Sequence, residues 1–161
     1  MAASTNVNNR TVVHKDSGGM AINFPDVCKT PTPGGPVPIP YPNIAKSSDT
    51  AKGSKSVKID GNPIMLKDSN FSTSTGDEAG SVGGVASGCT KGIAEFINYS
   101  FDVKIDGKNV PRLGDMMIQN KKNTPPMPEI QAPVIVIPLM EEKENIDDYK
   151  LMSLEEVKVE K

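Results

Sequence analysis

"VKIDGNPIMLKD" occupies residues 57–68 and returns as "VKIDGKNVPRLGD" at residues 103–115, with five identical residues leading each copy at an offset of 46. In each copy apolar and polar residues alternate up to an Asp-Gly pair, Asp60-Gly61 and Asp106-Gly107. Apolar residues then resume, Ile64 and Leu66 in one copy and Val110 and Leu113 in the other. Alternation sends successive side chains to opposite faces of a strand, and Asp-Gly tolerates the positive φ of a two-residue turn, so each copy reads as a β-hairpin. Duplication and convergence on a common turn both account for the shared residues, and the hairpin reading is the same under either.

Upstream, "TVVHKDSGGMAIN" at 11–23 sets Val12 and Val13 on one side of Asp16-Ser17-Gly18-Gly19 and Met20 and Ile22 on the other, which reads as a third hairpin. The polar residues 1–10 read as a flexible N-terminus. Composition agrees with an all-β fold: of 161 residues only 36% are apolar and 4% aromatic, with no Trp but 14 Gly and 14 Pro, a mixture suited to short strands and tight turns.

The segment "FPDVCKTPTPGGPVPIPYPNIA" at 24–45 carries Pro36, Pro38, Pro40 and Pro42 on alternate residues. In an extended chain these remove every N–H from one edge and leave the donors of Val37, Ile39 and Tyr41 on the other, so the strand can pair on one side only. A solvated polyproline II linker is the competing reading. "STSTGDEAGSVGGVASGCTKG" at 72–92 reads as a Gly/Ser-rich surface loop, and "IAEFINYSFDVKI" at 93–105 as a long strand. Residues 124–138 form a proline-rich connector, in which Val134 to Ile137 suit an edge strand. In 139–161 the spacing of Ile146, Tyr149, Leu151, Leu154 and Val157 fits a weak amphipathic helix, with a disordered tail as the alternative. The last 21 residues hold eight acids against four lysines, so the remainder of the chain is slightly basic while the whole carries −2. Neither balance marks a nucleic-acid surface. The expectation is also of no signal peptide and no apolar run of about 18 residues to enter a membrane.

The chemistry of enzymes is sparse. A nucleophilic triad would have to be built on His14, the single histidine, and "SVGGVASG" lacks the lysine of a phosphate loop, so the chain reads as a non-enzyme. A metal site is the one chemical option with substance. His14 lies at the end of the first hairpin's rising strand and Cys28 after its return strand, which lets both reach one end of the domain, with Cys89 as a third ligand and no evident fourth. Zinc in a structural site favours four such ligands. Two cysteines are too few for a disulfide framework, and a small buried thiol is the plainer reading of each.

The proline block, "SSDTAKGSKSVKIDGNPIMLKDSNFSTSTGDEAG" at 47–80 and "FINYSFDVKIDGKNV" at 96–110 together resemble the PAAR-like proteins that tip contractile injection machines such as the type VI secretion system. The resemblance runs from about Thr11 to Lys121. It implies a domain at 11–123 that is a small cone of hairpins about a pseudo-threefold axis, followed by the connector and tail. The resemblance also implies that one copy caps a trimeric VgrG-type spike and sharpens it for membrane puncture, with an effector or chaperone held by the C-terminal tail. The alternative is a small delivered effector or effector adaptor acting through that extension. The family's zinc, held by His and Cys at the pointed end, would keep only His14 and Cys28 of its ligands, because Pro111 and Gln119 stand where relatives commonly carry Cys and His, and Cys89, outside the family set, would be the third. The implied location is the producing bacterium's cytoplasm until firing, then the medium or target cell.

Overall fold

A computed structural model describes residues 3–132, and all of its regular elements but one 3-10 turn are strands. In chain order they are β1 (Asn6–Val7), β2 (Arg10–Thr11), β3 (Met20–Thr30), β4 (Val37–Lys46), β5 (Thr50–Ala51), β6 (Lys58–Ile59) and β7 (Asn62–Pro63). β8 (Asn70–Phe71), β9 (Gly83–Gly84), β10 (Ala94–Phe96), β11 (Lys104–Ile105), β12 (Lys108–Asn109), β13 (Met116–Ile118) and β14 (Met127–Ile130) follow. The fold is all-β, as composition led one to expect. No helix among the described residues is long and apolar enough to cross a membrane.

β4, β3, β14, β13, β10, β8 and β5 hydrogen-bond in that order, with β9 added to β3. β4 ends this ladder, and from Val37 to Tyr41 it pairs only with β3. Its prolines therefore close the outer edge to further strands, a known guard against edge-to-edge association. Past Pro42 the edge reopens, where Ile44 and Thr75 exchange backbone bonds of 2.7 and 2.8 Å.

The described residues form two small apolar cores. Val13, Ala21, Ala45, Met65, Phe71, Ala94, Phe96 and Met117 fill one, with Phe71 and Phe96 edge to face at 6.1 Å. Ala3, Val12, Ile64, Leu66 and Val110 fill the other, which lies among the two-residue hairpins.

Several expected boundaries move. The N-terminal hairpin is β1–β2, turning at Asn8-Asn9, so residues 6–10 are structured; the loop at Asp16–Gly19 instead hands the chain from one set of partners to another. Asparagine tolerates the left-handed region, and φ values of 52° and 65° let Asn8-Asn9 do the work of Asp-Gly. The 93–105 run breaks into β10 and β11, since Ser100 caps its own short turn by donating to Asp102 and accepting from the Val103 N–H. The domain also extends beyond 123, because β14 lies between β13 and β3. Pro128 is tolerated there for a geometric reason. Glu129 donates to the Asp115 carbonyl, which turns the donor-less Pro128 nitrogen toward β3, where pairing begins only at Glu129 opposite Ala21. The edge strand and helix expected within 134–157 lie outside the described residues.

Candidate functional site

The hairpins β1–β2, β6–β7 and β11–β12 are three copies of one object. Each turns on a pair with positive φ: Asn8-Asn9, Asp60-Gly61 (53°, 81°) and Asp106-Gly107 (52°, 77°). Three residues past each turn lies a buried branched side chain, Val12, Ile64 or Val110, and each of these donates its N–H back to Thr5, Val57 or Val103 at 3.1, 3.3 and 3.2 Å. Val7, Ile59 and Ile105 occupy equivalent strand positions, half-buried against the same core.

The copies are also joined in a cycle. Met65 donates to the Val13 carbonyl, Lys67 to that of Asn109 and Leu113 to that of Thr11, each at 2.9 Å, so each hairpin arm is tied to both others. Side chains repeat the cycle at the exposed rim. The Ser4 hydroxyl donates to Asp60 at 2.5 Å, that of Ser56 donates to Asp106, and the Asn8 amide donates to Asp102 at 3.2 Å. Ser4, Ser56 and Asp102 are equivalent positions, as are Asn8, Asp60 and Asp106; only the direction of donation reverses at the third joint. Hydroxyl donors hold all three carboxyls below the ordinary range, Ser4 acting on Asp60, Ser100 on Asp102 and Ser54 with Ser56 on Asp106. Arg112 reinforces the third joint. It grips buried Asp115 through Nε and Nη2 at 2.9 and 3.0 Å and donates to the Asn8 side chain at 2.8 Å.

A second polar assembly is buried under the Gly/Ser-rich loop. Asp26, Cys28 and Asp77 are fully buried, and a donor atom from each lies within 4.8 Å of the others. Asp26 accepts from Asn43 at 2.7 Å, from Asn120 at 3.3 Å and from Asn123, while Asp77 accepts from the Lys91 N–H at 3.1 Å. Burial first, then the hydrogen bond to Asp26, pushes the Asp77 carboxyl up to about 6. Burial and the facing carboxylates push the Cys28 thiol up to about 12, so it stays protonated and points at Asp26, 3.5 Å away. The loop is no loose wrapping. A Cβ on Gly76 would lie 2.1 Å from the Pro42 carbonyl oxygen, and one on Gly80 would lie 2.3 Å from Cys28 Cβ, so the glycines there serve close approach.

Of the three residues expected to share a metal, Cys28 and Cys89 are neighbours that both contact Asn120, at 3.8 and 3.4 Å, while His14 lies apart from them. Cys28 joins the two aspartates. Half-buried Cys89 approaches Asn120 Oδ1 at 3.4 Å. His14 lies beside the second hairpin, where its Nδ1 accepts from the Asp16 N–H at 3.2 Å and its Nε2 donates to Asp60 at 3.0 Å. Pro111 is buried, and buried Gln119 donates to the Ala21 carbonyl and to Asn23 at 2.8 and 2.7 Å. Sequence reasoning missed the first member of the threefold set. The signal was present: "VNNRTV" at 7–12 matches "IDGNPI" at 59–64 and "IDGKNV" at 105–110 once Asn-Asn is admitted as a turn.

A family model described as "Toxin PAAR-like domain" matches residues 19–126. The curated protein "DNase toxin Tse7" of Pseudomonas aeruginosa is 39% identical over 133 residues, which cover 78% of this chain but 34% of that protein. The chain thus spans about a third of the relative's length. No solved structure matches the chain.

Proposed function

Because the chain belongs to the toxin PAAR-like domain family, with the type VI secretion role that family carries, we propose that its three-hairpin face caps a trimeric VgrG-type spike. The observation that carries this is the cyclic repetition of one hairpin three times within one chain. A single chain can meet three identical subunits equivalently only through a face that repeats itself three times. Val7, Ile59 and Ile105 would supply apolar contact at equivalent radii, and the exposed positions Asn6, Lys58 and Lys104 a polar rim. An interface with an apolar centre and a polar rim is the usual anatomy of specific association.

The proposed work is mechanical rather than catalytic. The cap is to stay folded and attached while the spike is driven forward. Its histidine has both ring nitrogens engaged, and its acid and thiol cluster is closed to solvent. A second reading has support in the relative named as a DNase toxin, of which this chain spans a third. On that reading the domain is the delivery portion of an effector or its adaptor, and the residues after 132 connect it to cargo. The two readings share the same docking face.

Substituting Ile59→Asp together with Ile105→Asp tests it. Spike binding in a pull-down should fall by at least about tenfold, as expected when anchors at an interface centre are lost. Val82→Asp, at an exposed site away from the hairpins, should leave binding unchanged. Equal binding by both variants would refute this face as the docking surface.

A further inference from the structure

The family resemblance implies a metal braced by His and Cys, and the residues present do not fit one at the hairpin end. A ligand must offer a free lone pair. His14 has one ring nitrogen accepting from the Asp16 N–H and the other donating to Asp60. The side chains gathered between the hairpins are Val12, Ile64, Leu66 and Val110, none of which can ligate. Cys28 is bound up with Asp26 and Asp77, and Cys89 with Asn120.

We infer that the three hairpins are locked to one another without metal, by an apolar plug on their axis and a closed ring of side-chain hydrogen bonds around it, in which His14 is a strut instead of a ligand. The plug supplies burial, which is nondirectional and cannot by itself fix how the arms are rotated about the axis. Orientation comes from the ring together with the main-chain bonds that Met65, Lys67 and Leu113 donate between arms. Ser4 to Asp60 joins the first arm to the second, Ser56 to Asp106 the second to the third, and Asn8 to Asp102 the third back to the first. The ring is doubled at each joint. The Ser4 N–H also donates to Asp60 at 2.9 Å, the Lys55 N–H and Ser54 hydroxyl to Asp106 at 3.1 and 2.6 Å, and Arg112, from the third arm, to the Asn8 side chain of the first at 2.8 Å.

His14 Nε2 adds a third donor on Asp60, and the Asn62 amide reaches Asp16 at 3.1 Å across the same joint. The main chain keeps one register at this joint and at its third-to-first counterpart: His14 bridges Ile64 as Arg112 bridges Val12, each pair made of equivalent positions. Because the ring is cyclic, opening one joint leaves all three arms linked through the other two. Opening all three leaves the plug and the main-chain bonds donated by Met65, Lys67 and Leu113.

The inference deepens the docking proposal but is tested without a spike, so either can fail alone. The measurement is native-state hydrogen exchange of the Val12, Ile64 and Val110 amides in the full chain, with Phe71 and Phe96 as internal references in the other core. The full chain is first dialysed against a strong zinc chelator. Exchange at the three amides should be unchanged. The triple variant Ser4→Ala, Ser56→Ala, Asp102→Ala, which avoids the turn residues, should speed all three by about tenfold, the scale set by several lost hydrogen bonds to charged groups. The reference amides should hold. Faster exchange on chelation, or protection in the triple variant equal to that of the parent, would overturn the inference.

Discussion

The hairpin end and the pocket beneath the Gly/Ser-rich loop both depend on aspartates, and they use them in opposite ways. Asp60, Asp102 and Asp106 lie at an exposed rim, where serine hydroxyls hold their carboxyls low and ionised. Asp77 is sealed with Asp26 and Cys28, and burial drives it up to about 6. At the rim, water solvates the charge before and after folding, so each bond adds direction at little desolvation cost. In the pocket the charge leaves water, and asparagine amides and close-packed glycine backbone have to replace it. One region is rigid through repetition, the other through tightness.

The contrast can be broken most forcefully at glycine. Gly76→Ala should destabilise by about 3 kcal/mol or more, combining a left-handed backbone with overpacking. The φ there is +132° and the new Cβ would lie 2.1 Å from a backbone oxygen. Gly61→Ala, whose φ is +81° with open space around it, should cost only about 1–2 kcal/mol from backbone conformation. Urea melts of the two variants decide. Equal losses would mean the loop can yield, and that its packing does not stiffen the pocket.

Those two glycines also mark what was legible. Gly61 belongs to a repeat whose alternation and turn chemistry are local, so the second and third hairpins followed from residues 57–68 and 103–115 alone. The one-sided pairing of β4 followed likewise from its prolines. Gly76 belongs to a segment whose order depends on Pro42, Cys28 and Asn123, residues distant in sequence, and composition there describes a loop without revealing what it embraces. The same limit applies to β14. Its place between β13 and β3 rests on burying Glu129 opposite Ala21, a pairing across more than a hundred residues. His14 and Cys28 were plausible metal partners by type, but the chain turns at Asp16–Gly19 and delivers them to different assemblies.

A titration sharpens the comparison at intermediate scale. Glu129 is fully buried with neither carboxyl oxygen hydrogen-bonded, and burial together with the charge of Asp115 pushes it up to about 8. The unfolded carboxyl ionises near 4.5. The folded chain therefore holds the extra proton between those values, and stability falls as pH rises through that window. Glu129→Gln should be near neutral at pH 4.5 and stabilising by about 4 kcal/mol at pH 8. Asp77 contributes in the same direction between its unfolded 3.8 and about 6. The rim carboxyls run the other way: lowered on folding, they stabilise above the ordinary carboxylate pKa and lose that contribution as pH falls through their depressed values. Acid should thus reduce protection of the Val12, Ile64 and Val110 amides before it reduces that of Phe71. A uniform loss would show that the two regions do not titrate separately.

The central claim is that one chain imitates threefold symmetry in order to sit on a trimer. The most direct measurement is the mass of the purified complex with its spike by light scattering. One copy of this chain per three spike subunits, unchanged at excess cap, is the predicted result. Three copies per trimer, or no complex at all, would contradict it.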